Sequence, residues 1–322
     1  MYQKLRTLIV AAAILPLGSL TLPAQAQEVV KFGAAQVSAG SLPVIVAEQK
    51  GLFAAEGLKY ERLDFKGGAP AAQALAAGSL DVCICAADHA IRLEERGLGG
   101  KVLVGLADQH SYALIGAAGS KAKSLADLKG QKIGITSAGS LTDTTIRYAI
   151  KEAGLDPDKD FEILAVGRAG AQRAALQAGA IAAGMFTTPD IQITMADKGA
   201  YKIIEDFRSM AYPAQDLVVT DTWLKANPEK AAKITRAVVK AMKLIQEDKT
   251  IIYPAVKEMF PGLKDEALLA QIATDVTNGY LSKDGLMTRA SYDTLMKMMM
   301  AADPRLKAIP YDDIMVTTYL PK

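Results

Sequence analysis

The chain has 322 residues, with 37 Lys and Arg against 35 Asp and Glu, and only two cysteines. That near-balance gives no basic surface for nucleic acid or an acidic membrane, and the cysteine count excludes a disulfide scaffold. The length suffices for two domains, each with its own core.

The N-terminus carries Lys4 and Arg6, an apolar run from Leu8 to Leu15, and then Ala24-Gln25-Ala26. This order predicts an export leader, residues 1–26, cut after Ala26, and hence a periplasmic product. Pro16 and Gly18 interrupt the apolar run, which is short for a membrane span. Without the leader the charges balance at 35 of each sign.

Residues 28–37 read as a first strand, running into a loop through Gln36, Val37, Ser38, Gly40 and Ser41. A helix from Pro43 to Lys50 and a strand from Lys59 to Phe65 follow. Gly67-Gly68-Ala69-Pro70 opens the next helix, with Pro70 in its first turn. Asp81 to Ala86 reads as a strand ending at Ala87-Asp88-His89, before a helix over 90–96. Lys101 to Ala107 and Tyr112 to Ala117 are further strands.

A second run begins with a short capped helix at Ser124 to Gly130 and a strand ending at Ile133-Gly134-Ile135. Thr136 to Gly139 is a loop of small residues, and Ser140-Leu141-Thr142-Asp143 has the form of a capping box that starts a helix. Such a start carries unpaired N–H groups and partial positive charge, which suits an anion. A strand over 161–166, a helix over 171–178 and a strand ending at Thr187-Thr188-Pro189-Asp190 come next, then strands at 201–204 and 217–219. Strands alternating with helices predict parallel α/β architecture.

The two runs echo each other. Gly33 precedes Gly78 by 45 positions, as Gly134 precedes Gly179, and Ala39-Gly40-Ser41 is matched by Ala138-Gly139-Ser140. One α/β unit used twice would place the carboxyl ends of two sheets across a shared cleft. From Asn227-Pro228 the chain turns helical, with Ile234, Val238, Met242 and Ile245 on one face. Further helices are expected at 265–280 and 291–301, with Met296, Met298, Met299 and Met300 as core residues.

Catalytic patterns are scarce: there is no His-Glu-x-x-His, no Gly-x-Ser-x-Gly elbow and no phosphate-binding Gly-x-x-x-x-Gly-Lys loop. Cys83 and Cys85 share a strand face, where neighbours two apart have poor disulfide geometry, so two buried small hydrophobes are expected. Only His89 and His110 are available to complete a metal site, and neither metal nor other cofactor is expected. What collects at the strand ends is small and polar: Ser38, Ser41, Gly68, Asp88, His89, Ser137, Ser140, Thr142, Thr187 and Thr188. That set suits hydrogen bonding to a small ligand rather than turnover.

Gly51-Leu52-Phe53, Glu56-Gly57-Leu58, Phe65 to Pro70, Ala74 to Asp81, Leu125 to Gly134, Gly139-Ser140, Gly154 to Pro157 and Ala175 to Gly179 carry a resemblance. In that order they resemble periplasmic solute-binding proteins of the nitrate/sulfonate/taurine type that serve ABC importers. The resemblance implies an α/β, two-lobed type II binding-protein fold, each lobe a mixed sheet flanked by helices. Lobe 1 would comprise residues 27–114 and 218–322 and lobe 2 residues 115–217, hinged near Ala113–Ala117 and Asp216–Val219. By the same resemblance the ligand site would draw on Ser38, Gly40, Ser41, Gly68, Ala69, Asp88, His89, Ser137, Gly139, Ser140, Thr142, Thr187, Thr188 and Gln215. Ser41 and Ser140 also suit plain helix caps, and Asp88 a helix start. The expected activity is capture of a small organic anion, a sulfonate or carboxylate, by a non-enzymatic monomer that hands it to a permease. The alternatives are a receptor for a sensor kinase or chemoreceptor, and a pyrimidine-precursor binding protein or enzyme on the same fold. Enzymes of that kind rely on a cysteine-rich motif, against the bare Cys83-Ile84-Cys85 here.

Overall fold

A computed structural model describes residues 27–35, 38–117, 119–197 and 199–321. The expected leader over 1–26 and the expected loop positions Gln36 and Val37 lie outside the described residues.

The chain starts with β1 (Glu28–Ala34), α1 (Leu42–Gln49), α2 (Leu52–Ala55), β2 (Leu58–Asp64), α3 (Gly68–Ala76), β3 (Val82–Cys85), α4 (Asp88–Glu95) and β4 (Gly100–Gln109). It continues with β5 (Tyr112–Ala117), β6 (Lys132–Ile135), α5 (Leu141–Glu152), β7 (Glu162–Ala165), α6 (Ala169–Gln177), β8 (Ala183–Thr187), α7 (Asp190–Met195) and β9 (Tyr201–Asp206). β10 (Ala211–Thr220) then leads to α8 (Asp221–Ala226), α9 (Pro228–Glu247), α10 (Tyr253–Met259), α11 (Glu266–Thr277), α12 (Arg289–Ala302) and α13 (Tyr311–Ile314).

Two five-stranded sheets result, in the orders β2-β1-β3-β10-β4 and β7-β6-β8-β5-β9. In each, four strands run one way and one, β10 or β5, is inserted antiparallel to both of its neighbours. The internal echo is therefore a repeat of topology, and packing explains its spacing. A Cβ on Gly33 would overlap Leu80, and one on Gly134 would fall 2.7 Å from Ile181 Cδ1. Leu80 and Ile181 stand at the same place after the matched glycines Gly78 and Gly179, both of which have left-handed backbone (φ +71° and +67°). Each unit thus needs a bare first strand where the residue after its helix folds back.

Burial follows strand position. β3 and β8, inside their sheets, are buried at every residue, whereas the edge strand β2 alternates and exposes charged side chains. Ile234, Val238, Met242 and Ile245 of α9 are buried as their spacing predicts, packed with α1. Met296, Met298 and Met299 are also buried, but Met300 is 40% exposed because it falls on the outer face of α12. Cys83 and Cys85 correct another expectation, since the two are joined as a disulfide within β3. Their Cα atoms lie 5.6 Å apart, within the span that a disulfide bridges, and both residues stay fully buried.

The whole length of β5 pairs with strands of the second sheet, and β10 pairs with strands of the first. The chain therefore changes sheet at 109–112 and 206–211, ahead of the crossovers expected at Ala113–Ala117 and Asp216–Val219. The two crossings are bonded to each other, His110 N donating to Met210 O at 2.8 Å and Phe207 N to Tyr112 O at 3.2 Å. α12, which follows the first sheet's last strand, lies against α5 of the second unit. Lys151 Nζ donates to Ala301 O at 3.1 Å, Lys297 sits over the Tyr148 ring, and Met298 and Met299 share a core cluster with Tyr148 and Ile150.

Gly100 offers a test of this packing. A Cβ there would overlap the backbone of Ala90 in α4, whereas at Gly33 the obstacle is the end of a flexible leucine. Gly100→Ala should lower unfolding free energy by about 1–3 kcal/mol, and by more than Gly33→Ala, as measured by urea denaturation.

Candidate functional site

In both sheets the parallel strands run their carboxyl ends toward the other sheet, so the loops after β1, β2, β3, β6 and β8 form one cleft. A cavity of about 20 Å³ lies within it, walled by Gly67, Gly68, His89 and Gln215 on one side and Thr136 and Ser140 on the other. That is about the space of one water, so the two halves stand closed upon each other.

Direct bonds cross the cleft. Ala69 N, in the first turn of α3, donates to Ser140 Oγ at 3.1 Å, and Ala39 N donates to Thr188 O at 2.9 Å. Arg92 Nη2 donates to Thr144 Oγ1 at 3.1 Å. Glycine makes this approach possible: a Cβ on Gly67 would stand 2.5 Å from Ser137 Oγ, and one on Gly68 would overlap the His89 imidazole.

The expected ligand residues fall into layers. Gly68, His89, Ser140 and Gln215 wall the cavity, and Ala69, His89 and Gly139 line a second pocket at its mouth. Ser137 Oγ bonds Ser140 Oγ at 2.5 Å. Ser38 is one step back, its hydroxyl 3.5 Å from Gln215 Oε1, while Gly40 packs on Gln215 and the buried Ser41 donates its N–H to Ser38 O. Thr142 is fully buried, its hydroxyl accepting from Thr136 N at 3.0 Å and bonding Thr136 Oγ1 at 2.9 Å. Thr188 borders a pocket behind the crossings, and the buried Thr187 hydroxyl has no hydrogen-bond partner among the described residues. Asp88 is fully buried with both oxygens unbonded, 3.8 Å from His89 Nε2 and 3.9 Å from Arg92 Nε.

The helix α5 begins where the capping box was expected, but the box itself does not form. Ser140 is the N-cap residue, but its hydroxyl makes no cap bond because it reaches across the cleft instead. Asp143 accepts from Gly139 N at 2.8 Å and pairs with Arg147 at 2.6 Å, so it occupies the helix start with a carboxylate of the protein's own.

Burial sets the protonation states. It drives His89 below its usual pKa, as do Arg92 and Arg96, while Asp88 pulls the other way, so a neutral imidazole faces the cleft. His110 is pushed down to about 3 by burial. Its Nδ1 accepts from Tyr112 N at 3.2 Å, so Nε2 carries the hydrogen toward Thr145 Oγ1 at 2.8 Å. Burial raises Asp216 well above the usual carboxyl range, with Asp108 adding to the effect. Asp190 rises to about 6 for the same main reason, opposed by Arg173 and Arg168. Among the described residues no cluster of three or more His, Cys, Asp or Glu is placed to hold a metal. Among the described residues, the Ser137–Ser140 pair is bonded to no imidazole or carboxylate, and the Ser140 hydroxyl accepts from Ala69 N.

Sequence reasoning missed Thr136, Tyr112 and Arg92. Arg92 had a legible signal, its four-residue spacing from Asp88 on one helix face. Tyr112 had none, since only the position of the crossing brings it to the wall.

The Asp190 shift predicts a pH effect. Its folded pKa of about 6 lies above the ordinary carboxyl value, so its stabilising contribution is complete at acid pH and is lost as pH rises through 6. Asp190→Asn should therefore exceed the parent in stability at pH 7.5, by up to about 3 kcal/mol, with the gap narrowing at pH 5. Urea unfolding of both proteins at the two pH values checks this.

Comparison with known proteins agrees with this geometry. Residues 38–250 match the family model described as NMT1/THI5 like. A relative in Bacillus subtilis (strain 168), named "Putative binding protein YtlA", is 22% identical over 277 residues, covering 84% of this chain and 83% of that protein. A solved structure from Bordetella bronchiseptica RB50 superposes with a TM-score of 0.81 at 28% identity, over 90% of this chain and 95% of the other. The periplasmic aliphatic sulphonate binding protein SsuA of Escherichia coli shares the fold, with a TM-score of 0.67 at 17% identity over 87% and 94% of the two chains. No helix among the described residues is long and apolar enough to cross a membrane. With the family model matching more than half of its length, the chain belongs to the NMT1/THI5-like family and has the two-lobed periplasmic binding-protein fold.

Proposed function

We propose that the protein is an exported solute receptor that closes two lobes on a small organic anion, a sulfonate or carboxylate, and delivers it to an ABC importer. The observation that carries this reading is the cleft itself. Two sheets of like topology meet at their carboxyl ends, with hydrogen-bonding groups on both walls. The SsuA relative's sulphonate specificity supports the ligand class, and the expected leader supports a periplasmic address. The lobes divide at the paired crossings at 109–112 and 206–211, which serve as the hinge.

In this reading the solute stabilises the closed form by its differential affinity for the two arrangements, and a permease recognises that form. The bonds from Ala69 to Ser140 and from Ala39 to Thr188 close with it, each contributing about 0.5–1.5 kcal/mol net. The protein works as a monomer, without a cofactor.

Thermal unfolding of residues 27–322 with methanesulfonate, taurine, benzoate, nitrate and uracil provides the test. A sulfonate or carboxylate should raise the midpoint by several degrees at a hundred times its Kd, where mass action supplies about 2.7 kcal/mol. A shift with uracil and none with any anion overturns the ligand class. Consumption of a solute by the purified protein overturns the non-enzymatic reading.

A further inference from the structure

The charge on the cleft is not where the helix start would put it. Asp143 and the Ser140 hydroxyl already occupy the beginning of α5, and among the described residues the guanidiniums lining the cleft's spaces on this side are Arg92 of α4 and Arg96 at its C-cap. Beside the central cavity, and sharing His89 with it, is a pocket of about 140 Å³ lined by Gln73, His89, Arg92, Arg96 and, from the other lobe, Gly139. Two guanidiniums line it and no carboxylate does. Arg92 is held by Thr144 across the cleft, and its Nε is buried without a hydrogen-bond partner among the described residues, 3.9 Å from Asp88. Arg96, one helical turn on, is exposed and its side chain makes no ion pair among the described residues. The larger pocket behind the crossings, about 310 Å³, has the opposite character: Arg208 is closed by a two-point pair with Asp206, and Asp275 adds a further carboxylate.

We propose that the mouth pocket is an anion subsite in which Arg92 and Arg96 take the carboxylate or sulfonate of the bound solute, with the rest of the solute directed toward Gly68 and Ser140. This deepens the functional reading above and rests on it. Planar guanidiniums match the paired oxygens of such groups, and Arg92 in α4 and Arg96 at its C-cap bring two of them to the same pocket. The pocket takes walls from both lobes, so an anion seated there joins α4 to the loop at Gly139 and favours closure. The subsite makes the α4 arginines, rather than the α5 N-terminus, the source of charge recognition.

Isothermal titration of residues 27–322 with methanesulfonate, benzoate and sulfate tests the assignment. For whichever probe binds the parent, Arg96→Gln should raise Kd at least tenfold, equivalent to about 1.4 kcal/mol. Arg96→Lys should raise it less, and Arg236→Gln, which removes a distant surface charge on α9, should leave it within twofold. The dependence of Kd on salt should also flatten in Arg96→Gln. Because Arg96 is exposed, the variant should keep the parent's unfolding midpoint without anion, which separates a lost subsite from a lost fold. Parent-like affinity in Arg96→Gln overturns the subsite while leaving the solute reading in place. Failure of the parent to bind any of the three anions overturns both.

Discussion

A residue without a side chain lets the two halves of this molecule meet. Gly67 lies against Ser137 of the opposite wall, closer than a Cβ would permit, while Gly68 seats the start of α3 on the His89 ring of its own wall. Because of that approach, the first N–H groups of α3 reach a hydroxyl on the opposite wall, and the central cavity is reduced to the size of a water. That close approach belongs to the loop after β2 rather than to either sheet.

Much of the fold was legible because it rests on local chemistry repeated at fixed spacing. Gly33 with Gly78 and Gly134 with Gly179 announced a duplicated unit, and the room they make for Leu80 and Ile181 explains why that spacing recurs. The α9 stripe was readable from its period alone. What was not legible depends on distant partners. The strands that pair with β5 and β10 decide where the chain changes sheet, and nothing in the local sequence reports them. Ser140 has the sequence of a cap, but its hydroxyl is drawn away by Ala69, far off in the chain. Thr142 reads as a ligand residue at a helix start, whereas its hydroxyl is committed to Thr136. Strand alternation placed Cys83 and Cys85 on one face correctly; the pleat geometry that joins them is a property of the folded strand.

The electrostatics of the cleft follow from burial more than from residue count. A chain with nearly balanced charges still places neutral His89 in the cavity wall and buries Asp190 and Asp216 with their carboxyls pushed up. Removing water penalises charge of either sign, so a group remains ionised only where a partner or solvent reaches it. Arg92 and Arg96 stand in different settings at the cleft, one tied to Thr144 and the other open to solvent.

The packing of α12 on α5 carries a consequence for empty-state behaviour. Opening the cleft must either strip Met298 and Met299 from their shared core with Tyr148 or carry α12 along with the moving half. On the proposed closing motion, either course makes separation uphill before any solute is considered, and the balance between shut and open molecules would then be set in part by a helix remote from the cavity. A partner that reads only the shut outline would meet a background of false positives set by that seam. Loosening it would sharpen discrimination between loaded and unloaded molecules and weaken apparent affinity by the same factor.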